Sequence, residues 1–359
     1  MYHAAQRSSE ERQREKRAMF AQHKSQRLAE PQNTRGLSSG LWLVFMGLVA
    51  AIAPTAAFAQ TFPSRPITLI VPFPAGGPAD IGARAVMQRV SESIGQPVLV
   101  ENRGGGGGQV AAAAVKTAAP DGYTLFLANI GTHAINKSLY AKLTYDPDAD
   151  FTPVSLMYSL THVLVVNPES SIKSVSDLVK QAKDQPGKLT FASQGVGSGG
   201  HLLGEMLKFR NGLDVVHVPY RGTAHALPDL LGGRVTFFFD GIPGAGPLVA
   251  DGKLRGLAVT DGVRAQMIPN VPTMAEAGFP NYELSAWFGV AAPAGTPRAV
   301  VDRLHAEIVK AAMHPETQAK FHQFGIKAVA STPEEFVKVM REDTARLGEI
   351  VKASGARAE

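Results

Sequence analysis

The stretch ITLIVPFPAGGPAD, which runs from Ile67 to Asp80, sets the pattern on which the rest of the chain is built. Its first five residues, Ile67 to Val71, are apolar and mostly β-branched, which predicts a buried strand. A loop of proline and glycine follows, and a helix through Arg84 is predicted after it. Two interpretations of the loop remain open. Its glycines would let the backbone approach a ligand closely, whereas a plain turn would use Asp80 as a helix cap or as a partner of Arg84.

Short apolar runs and amphipathic stretches alternate along the whole chain. This alternation predicts an α/β fold of βα units around mainly parallel sheets. Further candidate strands are residues 98–101, 124–128, 163–166, 189–192, 215–218, 235–239 and 257–260. Helix start signals are Ser174 with Asp177, Thr273 with Glu276, Thr332 with Pro333 and Glu335, and Thr296 with Pro297.

A second glycine loop, SQGVGSGGH at residues 193–201, lies between a predicted strand and a predicted helix. Gly195, Gly197 and Gly200 match the G-x-G-x-x-G spacing of dinucleotide-binding loops. The acidic residue that such a site needs after the next strand is missing, because Asp214 precedes that strand. The loop therefore favours a carboxylate held by backbone N–H groups, with a dinucleotide as the weaker alternative.

A third glycine-rich segment consists of Glu101-Asn102-Arg103 and five glycines, Gly104 to Gly108. It lacks the Lys-Ser/Thr pair with which a P-loop neutralises phosphate and holds magnesium, so it does not predict a nucleotide triphosphate site. We expect a mobile turn that leads into a helix. A solvated or surface-paired Arg103 is favoured over one that faces a ligand.

The positive charge of the chain is concentrated before residue 60. Residues 1–59 carry eight basic and four acidic side chains, which accounts for +4 of the net charge of +5. The apolar run 41–53 is followed by Ala57-Phe58-Ala59, the A-x-A pattern of a cleavable signal peptide. Thirteen helical residues span only ~20 Å, so a membrane anchor is the weaker alternative. We predict a periplasmic protein, cleaved after Ala59, whose nearly neutral body gives no support for nucleic-acid binding.

Motifs for catalysis, metals and cofactors are missing from the sequence. The chain contains no cysteine, which excludes disulfides, thiolate nucleophiles and Cys-ligated metals. No serine lies in a G-x-S-x-G elbow, and no histidine pair has zinc-site spacing. We interpret His201, His217 and His225 as packing or hydrogen-bonding residues. The sequence thus predicts no catalytic residue, no metal and no cofactor.

Nine short motifs, in order, resemble the substrate-binding proteins of tripartite tricarboxylate transporters, the Bug family. They are PSRPI at 63–67 with the first glycine loop, ENRG at 101–104, PDGYT at 120–124, GVGSGGH at 195–201, VPYRG at 218–222, LLGG at 230–233, PNVPT at 269–273, EAG at 276–278 and APAGTP at 292–297. Each motif alone is weak, but together they span essentially the whole chain after residue 60.

The resemblance implies a two-lobed flytrap fold, of the type II-like periplasmic binding proteins, in which two strands cross between the lobes. With the strand predictions, one lobe comprises residues 60–161 and 283–359, and the other comprises residues 162–282. The resemblance also implies that a carboxylate of the ligand is held by backbone amides and ordered waters. Such bridging waters are nearly as good as direct hydrogen bonds, so one scaffold can accept different acids.

Carried over by position, the resemblance and the ends of the predicted strands point to fourteen ligand-binding residues. They are Phe73, Pro74, Ala75, Gly76, Gly77, Asp80, Asn129, Thr132, Ser193, Gly195, Gly197, Ser198, Asp240 and Gly241. Asp240 could accept a hydrogen bond from a ligand that carries an amine or hydroxyl. The alternative is that Asp240 only stabilises a turn before Gly241. The first loop departs from the family pattern, because Ala79 replaces a common threonine and Pro78 removes a backbone donor.

We therefore expect a monomeric solute-binding protein, not an enzyme. It would capture a small carboxylate and present it to the permease subunits of a tripartite transporter. Two alternatives stay open: a sensor for a membrane signalling partner, and an exported α/β enzyme that acts on a carboxylate or sugar.

Overall fold

The computed structural model describes residues 62–358. The predicted signal peptide, with its apolar core 41–53 and its cleavage site after Ala59, lies outside these residues. None of the helices in this range combines the length and the hydropathy of a membrane-spanning segment.

Eleven strands form two sheets in the described part of the chain. They are β1 (Ile67–Val71), β2 (Val98–Asn102), β3 (Thr124–Asn129), β4 (Phe151–Leu160), β5 (His162–Val166), β6 (Thr190–Ser193), β7 (Val216–Pro219), β8 (Phe237–Gly241), β9 (Arg255–Val259), β10 (Ala286–Pro293) and β11 (Ile326–Ala328). The first sheet has the order β11-β4-β10-β3-β1-β2, and the second has the order β7-β6-β8-β5-β9.

Helices connect the strands of both sheets. They are α1 (Pro78–Ile94), α2 (Gln109–Lys116), α3 (Asn136–Leu139), α4 (Val175–Asp184), α5 (Gly199–Asn211), α6 (Thr223–Leu231), α7 (Ile242–Ala250), α8 (Arg298–Ala312), α9 (Pro315–Gln323) and α10 (Pro333–Ser354). A 3₁₀ turn at Gly106–Gly108 precedes α2, and a π-helical turn at Gly131–Ile135 precedes α3.

The α/β class is confirmed, but the expectation of mainly parallel sheets is wrong. Four of the nine strand pairings are parallel and five are antiparallel. The chain leaves the first sheet between β4 and β5, which are separated only by Thr161, and it returns through β10. These crossing strands run against their neighbours, so β10 is antiparallel to both β3 and β4.

All eight strands expected from the sequence form, with ends that differ by at most two residues. Three further strands, β4, β10 and β11, were not predicted. β4 contains Pro153 and several hydroxyl side chains, and β10 is rich in alanine, so neither presents a β-branched run. Both lie in the buried middle of the first sheet, where tertiary packing outweighs local preference.

The helix start signals are confirmed at two positions and are wrong in detail at two others. Thr332 makes a complete capping box with Glu335, and the Ser174 hydroxyl accepts from the Asp177 amide. Thr273 and Glu276 exchange the same reciprocal hydrogen bonds, but only a turn follows them. Pro297 is the N-cap of α8, not its first residue.

Two aromatic residues of the first core support the start of α1. Tyr158 on β4 is fully buried and stacks on Phe288 of β10 with ring centroids 5.2 Å apart. Its hydroxyl donates to the Ala79 carbonyl at 2.6 Å. A Cβ at Gly82 would lie 2.5 Å from the Tyr158 ring, so glycine lets the helix lie directly on it. This contact positions the loop after β1.

Candidate functional site

A cleft between the two sheets is lined by loops from both of them. Its inner part, the inner cavity, comprises about 600 Å³ of space that is open to solvent. Among the lining residues, the first sheet contributes Phe73, Pro74, Ala75, Gly77 and Asn129, and the second contributes His162, Gln194, Gly199, Thr223 and Gly241. The loops that were predicted from glycine content therefore meet at one place.

Four helices begin at the inner cavity. The N-caps of α1, α6 and α7 are Gly77, Gly222 and Gly241, and Gly199 is the first residue of α5. All four glycines line the cavity. The first N–H groups of a helix have no partner within it, and the helix dipole makes this end attractive to anions. The cavity is thus an environment for negative charge that needs no ionised cation.

Asp80 supports the first loop from behind. Its carboxylate accepts from the Gly76 amide, from Arg84 Nε and from Asn102 Nδ2, each at 2.9 Å. Burial opposes ionisation, but hydrogen bonds from Arg84, Gly76 and Asn102 outweigh it and hold the pKa of Asp80 below its usual range. Neither Asp80 nor Gly76 lines the cavity. The pairing with Arg84 that the sequence left open is the arrangement observed.

Asn129 and Thr132 shape the loop that follows β3. Asn129 Oδ1 accepts from the amides of Gly131 at 2.9 Å and Thr132 at 3.3 Å. The Thr132 hydroxyl in turn donates to the Asn129 carbonyl. Asn129 lines the inner cavity, whereas Thr132 lines only the space beside it.

The second glycine loop rests on a pair of stacked histidines. The rings of His201 and His217 lie 4.2 Å apart between centroids. His217 Nε2 is 2.7 Å from the Ser193 hydroxyl, and His201 Nδ1 accepts from the Gly197 amide. Burial lowers the pKa of His201 to about 3 and that of His217 to about 4, so both rings are neutral at pH 7. The interpretation of these histidines as hydrogen-bonding residues agrees with the geometry.

Ser193 is fully buried and does not line the cleft. Its hydroxyl accepts from the Gly195 amide at 3.1 Å, so the Ser193–His217 pair holds the loop and presents no nucleophile to a ligand. Ser198 caps α5 by accepting from the His201 amide. In the described residues there is also no cluster of side chains suited to a metal ion.

Asp240 lies fully buried at the end of β8, behind the inner cavity. Its Oδ1 accepts from Thr223 Oγ1 at 2.6 Å and from Gln194 Nε2 at 2.8 Å. Burial raises the pKa of Asp240 to about 6, and the two donors offset this only in part. Asp240 is therefore in contact with two side chains that line the cavity, although it does not line the cavity itself.

Beyond Phe73, Asn129 and Gln194 the cleft continues into an outer cavity, which comprises about 840 Å³ of open space. The glycine run 105–108, Thr132, Gly195, Gly197, Ser198 and Arg221 are among its lining residues. The third glycine segment, for which the sequence predicted only a mobile turn, thus borders the cleft. Arg103 instead makes a surface ion pair with Glu101, as favoured from the sequence.

Among the lining side chains that sequence reasoning missed are His162, Gln194, Arg221 and Thr223. Gln194 belongs to a loop that had already been singled out. Arg221 and Thr223 follow β7, which is parallel to β6 and ends at the same edge of the sheet. The rule that ligands bind at the carboxyl ends of parallel strands would have indicated both. His162 lies on a crossing strand, and no local signal marks it.

Comparison with known proteins gives one consistent result. A family model described as "Tripartite tricarboxylate transporter family receptor" matches residues 82–356. Protein BugT of Bordetella pertussis is 35% identical over 319 residues, which cover 89% of this chain and 96% of BugT.

Two solved structures with ligands are similar over most of the chain. Rpa4515 of R. palustris with adipate has a TM-score of 0.79 and 36% identity, and the match covers 82% of this chain and 98% of that one. MatC of Rhodopseudomonas palustris with bound malate has a TM-score of 0.77 and 33% identity, and the match covers 81% of this chain and 100% of MatC.

Proposed function

Because the chain belongs to the tripartite tricarboxylate transporter receptor family, we propose that it captures a small organic acid in its cleft and delivers it to a membrane permease. The proposed location is the periplasm, after removal of the first 59 residues. The proposed lobes are residues 60–161 with 283–359, and residues 162–282. The chain would act as a monomer, without a cofactor.

The convergence of four helix N-termini on the inner cavity carries this proposal. The starts of α1, α5, α6 and α7 border a cavity whose lining contains no Asp or Glu. The start of α7 contributes least, because the Ile242 amide donates to the Thr161 carbonyl and Pro243 has no N–H. A carboxylate placed there gains hydrogen bonds to amides that the helices leave unused. Since Pro78 supplies no N–H, ordered water is expected to complete the set of donors.

The carboxylate would lie against the first loop, with Phe73, Ala75, Gly77 and Asn129 around it. Gly199, Thr223 and Gly241 would close on it from the second sheet. Asp80, Ser193 and Asp240 would act from behind by holding these loops. Adipate and malate, which are bound by the two similar proteins, mark the class of acid to be tested first.

Binding can be tested by calorimetry and melting with a panel of mono-, di- and tricarboxylates, each paired with its neutral amide. The expected result is that at least one acid binds and its amide does not. At a hundredfold excess over Kd the gain in stability should be ~2.7 kcal/mol. Binding to none of the acids would overturn the proposal. Recovery of a chemically altered acid would instead support the enzyme alternative.

A further inference from the structure

Arg221 is the one ionised side chain that lines either cavity within the described residues. It lies in the connection between β7 and α6 and is exposed at the outer cavity. No ion pair or hydrogen bond engages it among residues 62–358. Several other exposed arginines are paired, such as Arg264 with Glu276 and Arg298 with Asp302. Arg341 and Arg357 are, within the same range, unpaired like Arg221, but they line neither cavity. A guanidinium always carries its charge, so Arg221 is a free cation beside a site proposed for anions.

Two polar side chains of the inner cavity, Gln194 and Thr223, have no donor left for a second carboxylate. Both amide hydrogens of Gln194 are used, by the Phe239 carbonyl at 3.0 Å and by Asp240 Oδ1. The Thr223 hydroxyl donates its hydrogen to the same Asp240 oxygen. Thr223 therefore faces a ligand only as an acceptor.

Charge behind the inner cavity also disfavours a second anion. Asp240 lies directly behind Thr223 and Gln194, and above pH 6 its carboxyl group is ionised. His162 supplies no compensating positive charge, because burial lowers its pKa to about 4. A second carboxylate on the ligand would thus be repelled here, and it finds a better environment elsewhere in the cleft.

The outer cavity offers that environment. It joins the inner cavity at Phe73, Asn129 and Gln194, so one ligand can occupy both. The Phe73 ring packs edge-on to Phe288 at this junction, with centroids 6.2 Å apart, and presents apolar surface to the middle of a ligand. Arg221 lines the outer cavity, and its planar fork suits a carboxylate.

We propose that Arg221 is a specificity-determining residue that binds the second carboxylate of a dicarboxylate whose first carboxylate occupies the inner cavity. This assignment rests on the proposed function. It predicts that the chain distinguishes diacids from monoacids by one side chain in the outer cavity. The preferred ligands have an apolar linker long enough to pass Phe73.

The test measures Kd by calorimetry for a series of α,ω-dicarboxylates of four to eight carbons and for the monocarboxylates of the same lengths. The proteins are the wild type, Arg221→Gln, Arg221→Lys and, as a matched control, Arg298→Gln, which removes an exposed arginine that lines neither cavity. Arg221→Gln should weaken the best diacid on the order of tenfold or more and leave its monoacid within about threefold. Arg221→Lys should keep part of the preference for diacids over monoacids, and Arg298→Gln should keep all of it.

Three outcomes would overturn the assignment. They are equal losses for diacid and monoacid, no loss for either, or a wild-type protein that binds monoacids as tightly as diacids. Equal losses that disappear at high salt would show that Arg221 only steers anions toward the cleft. In each case monoacid binding by the wild type would leave the proposed function standing, and only failure to bind every acid would remove it.

Discussion

The backbone of Gly131 lies against the carbonyl oxygen of Gly197, so closely that a Cβ at position 131 would be 2.5 Å from that oxygen. Gly131 follows β3 of the first sheet, and Gly197 follows β6 of the second. At this point the loops from the two sheets touch backbone to backbone. Any side chain at 131 would hold them apart.

Gly131→Ala should weaken binding of whichever acid the panel identifies, by roughly tenfold, because the methyl group prevents the contact with Gly197. Calorimetry with the same acid measures the effect. Gly262→Ala is the matched control, since a Cβ at position 262 meets nothing within 4 Å, and it should bind like the wild type. An unchanged Kd for Gly131→Ala would mean that this contact is not needed in the liganded state.

Asp80→Ala should lower the free energy of unfolding by about 1–2 kcal/mol, because it leaves the Gly76 amide and one hydrogen of the Asn102 side-chain amide without their acceptor in a partly buried loop. Chemical denaturation at pH 7 measures this. Asp302→Ala removes an exposed partner of Arg298 and should cost no more than about 0.5 kcal/mol.

The loss in Asp80→Ala should also depend on pH. The pKa of Asp80 is lowered in the folded state, so its stabilising contribution is present above the unfolded pKa and is lost as the pH falls through the folded value. A difference from the wild type that already vanished at pH 5 would contradict the ion pair with Arg84.

Asp240→Asn should make the protein more stable relative to the wild type at pH 7.5 than at pH 4. The folded pKa of Asp240 is raised to about 6, so the wild type gains stability from the protonated form at low pH and loses it as the pH rises through 6. About two pKa units correspond to roughly 3 kcal/mol at most. Denaturation curves of both proteins from pH 4 to 8 measure the change, and a pH-independent difference would show that Asp240 titrates normally.

Buried histidines should make the wild type less stable as the pH falls below about 6.5. Burial lowers the pKa of His133 and His201 to about 3 and that of His162 and His217 to about 4. The unfolded chain therefore binds these protons first, and stability falls with pH until the folded rings titrate.

The loss of stability at low pH should be steeper in Asp240→Asn. This variant lacks the Asp240 carboxyl group, whose protonation stabilises the folded wild type as the pH falls. Melting temperatures of both proteins from pH 7 to pH 4 check this. A wild-type melting temperature that stayed flat over this range would contradict neutral, buried imidazoles.

Local sequence signals were sufficient for much of the fold. Short β-branched or apolar runs located eight strands, because β-branched and aromatic residues pack well on a pleated sheet wherever it lies. The ordered motifs identified the family, which the comparisons confirm. The crossing strands β4 and β10 were missed, since their burial comes from neighbours more than a hundred residues away.

The candidate site was only partly accessible from sequence. The glycine loops after β1 and β6, which the sequence singled out, both border the cleft. Asp80, Ser193 and Asp240 were proposed to contact a ligand, but the structure places them behind the lining residues. Their partners Asn102, His217 and Gln194 are 22, 24 and 46 residues away in the chain.

The sequence by itself determined the α/β class, most strands, the family and the glycine loops, because each of these depends on residues that are neighbours in the chain. Only the tertiary structure decided which side chains face the cleft and which support it. Partners from other loops determine which hydrogen-bond donors remain for a ligand. Thr223 and Gln194, for example, donate to Asp240. The tertiary structure also leaves Arg221 without a partner at the outer cavity. This depends on residues that are distant in the chain, so no local sequence pattern predicts it.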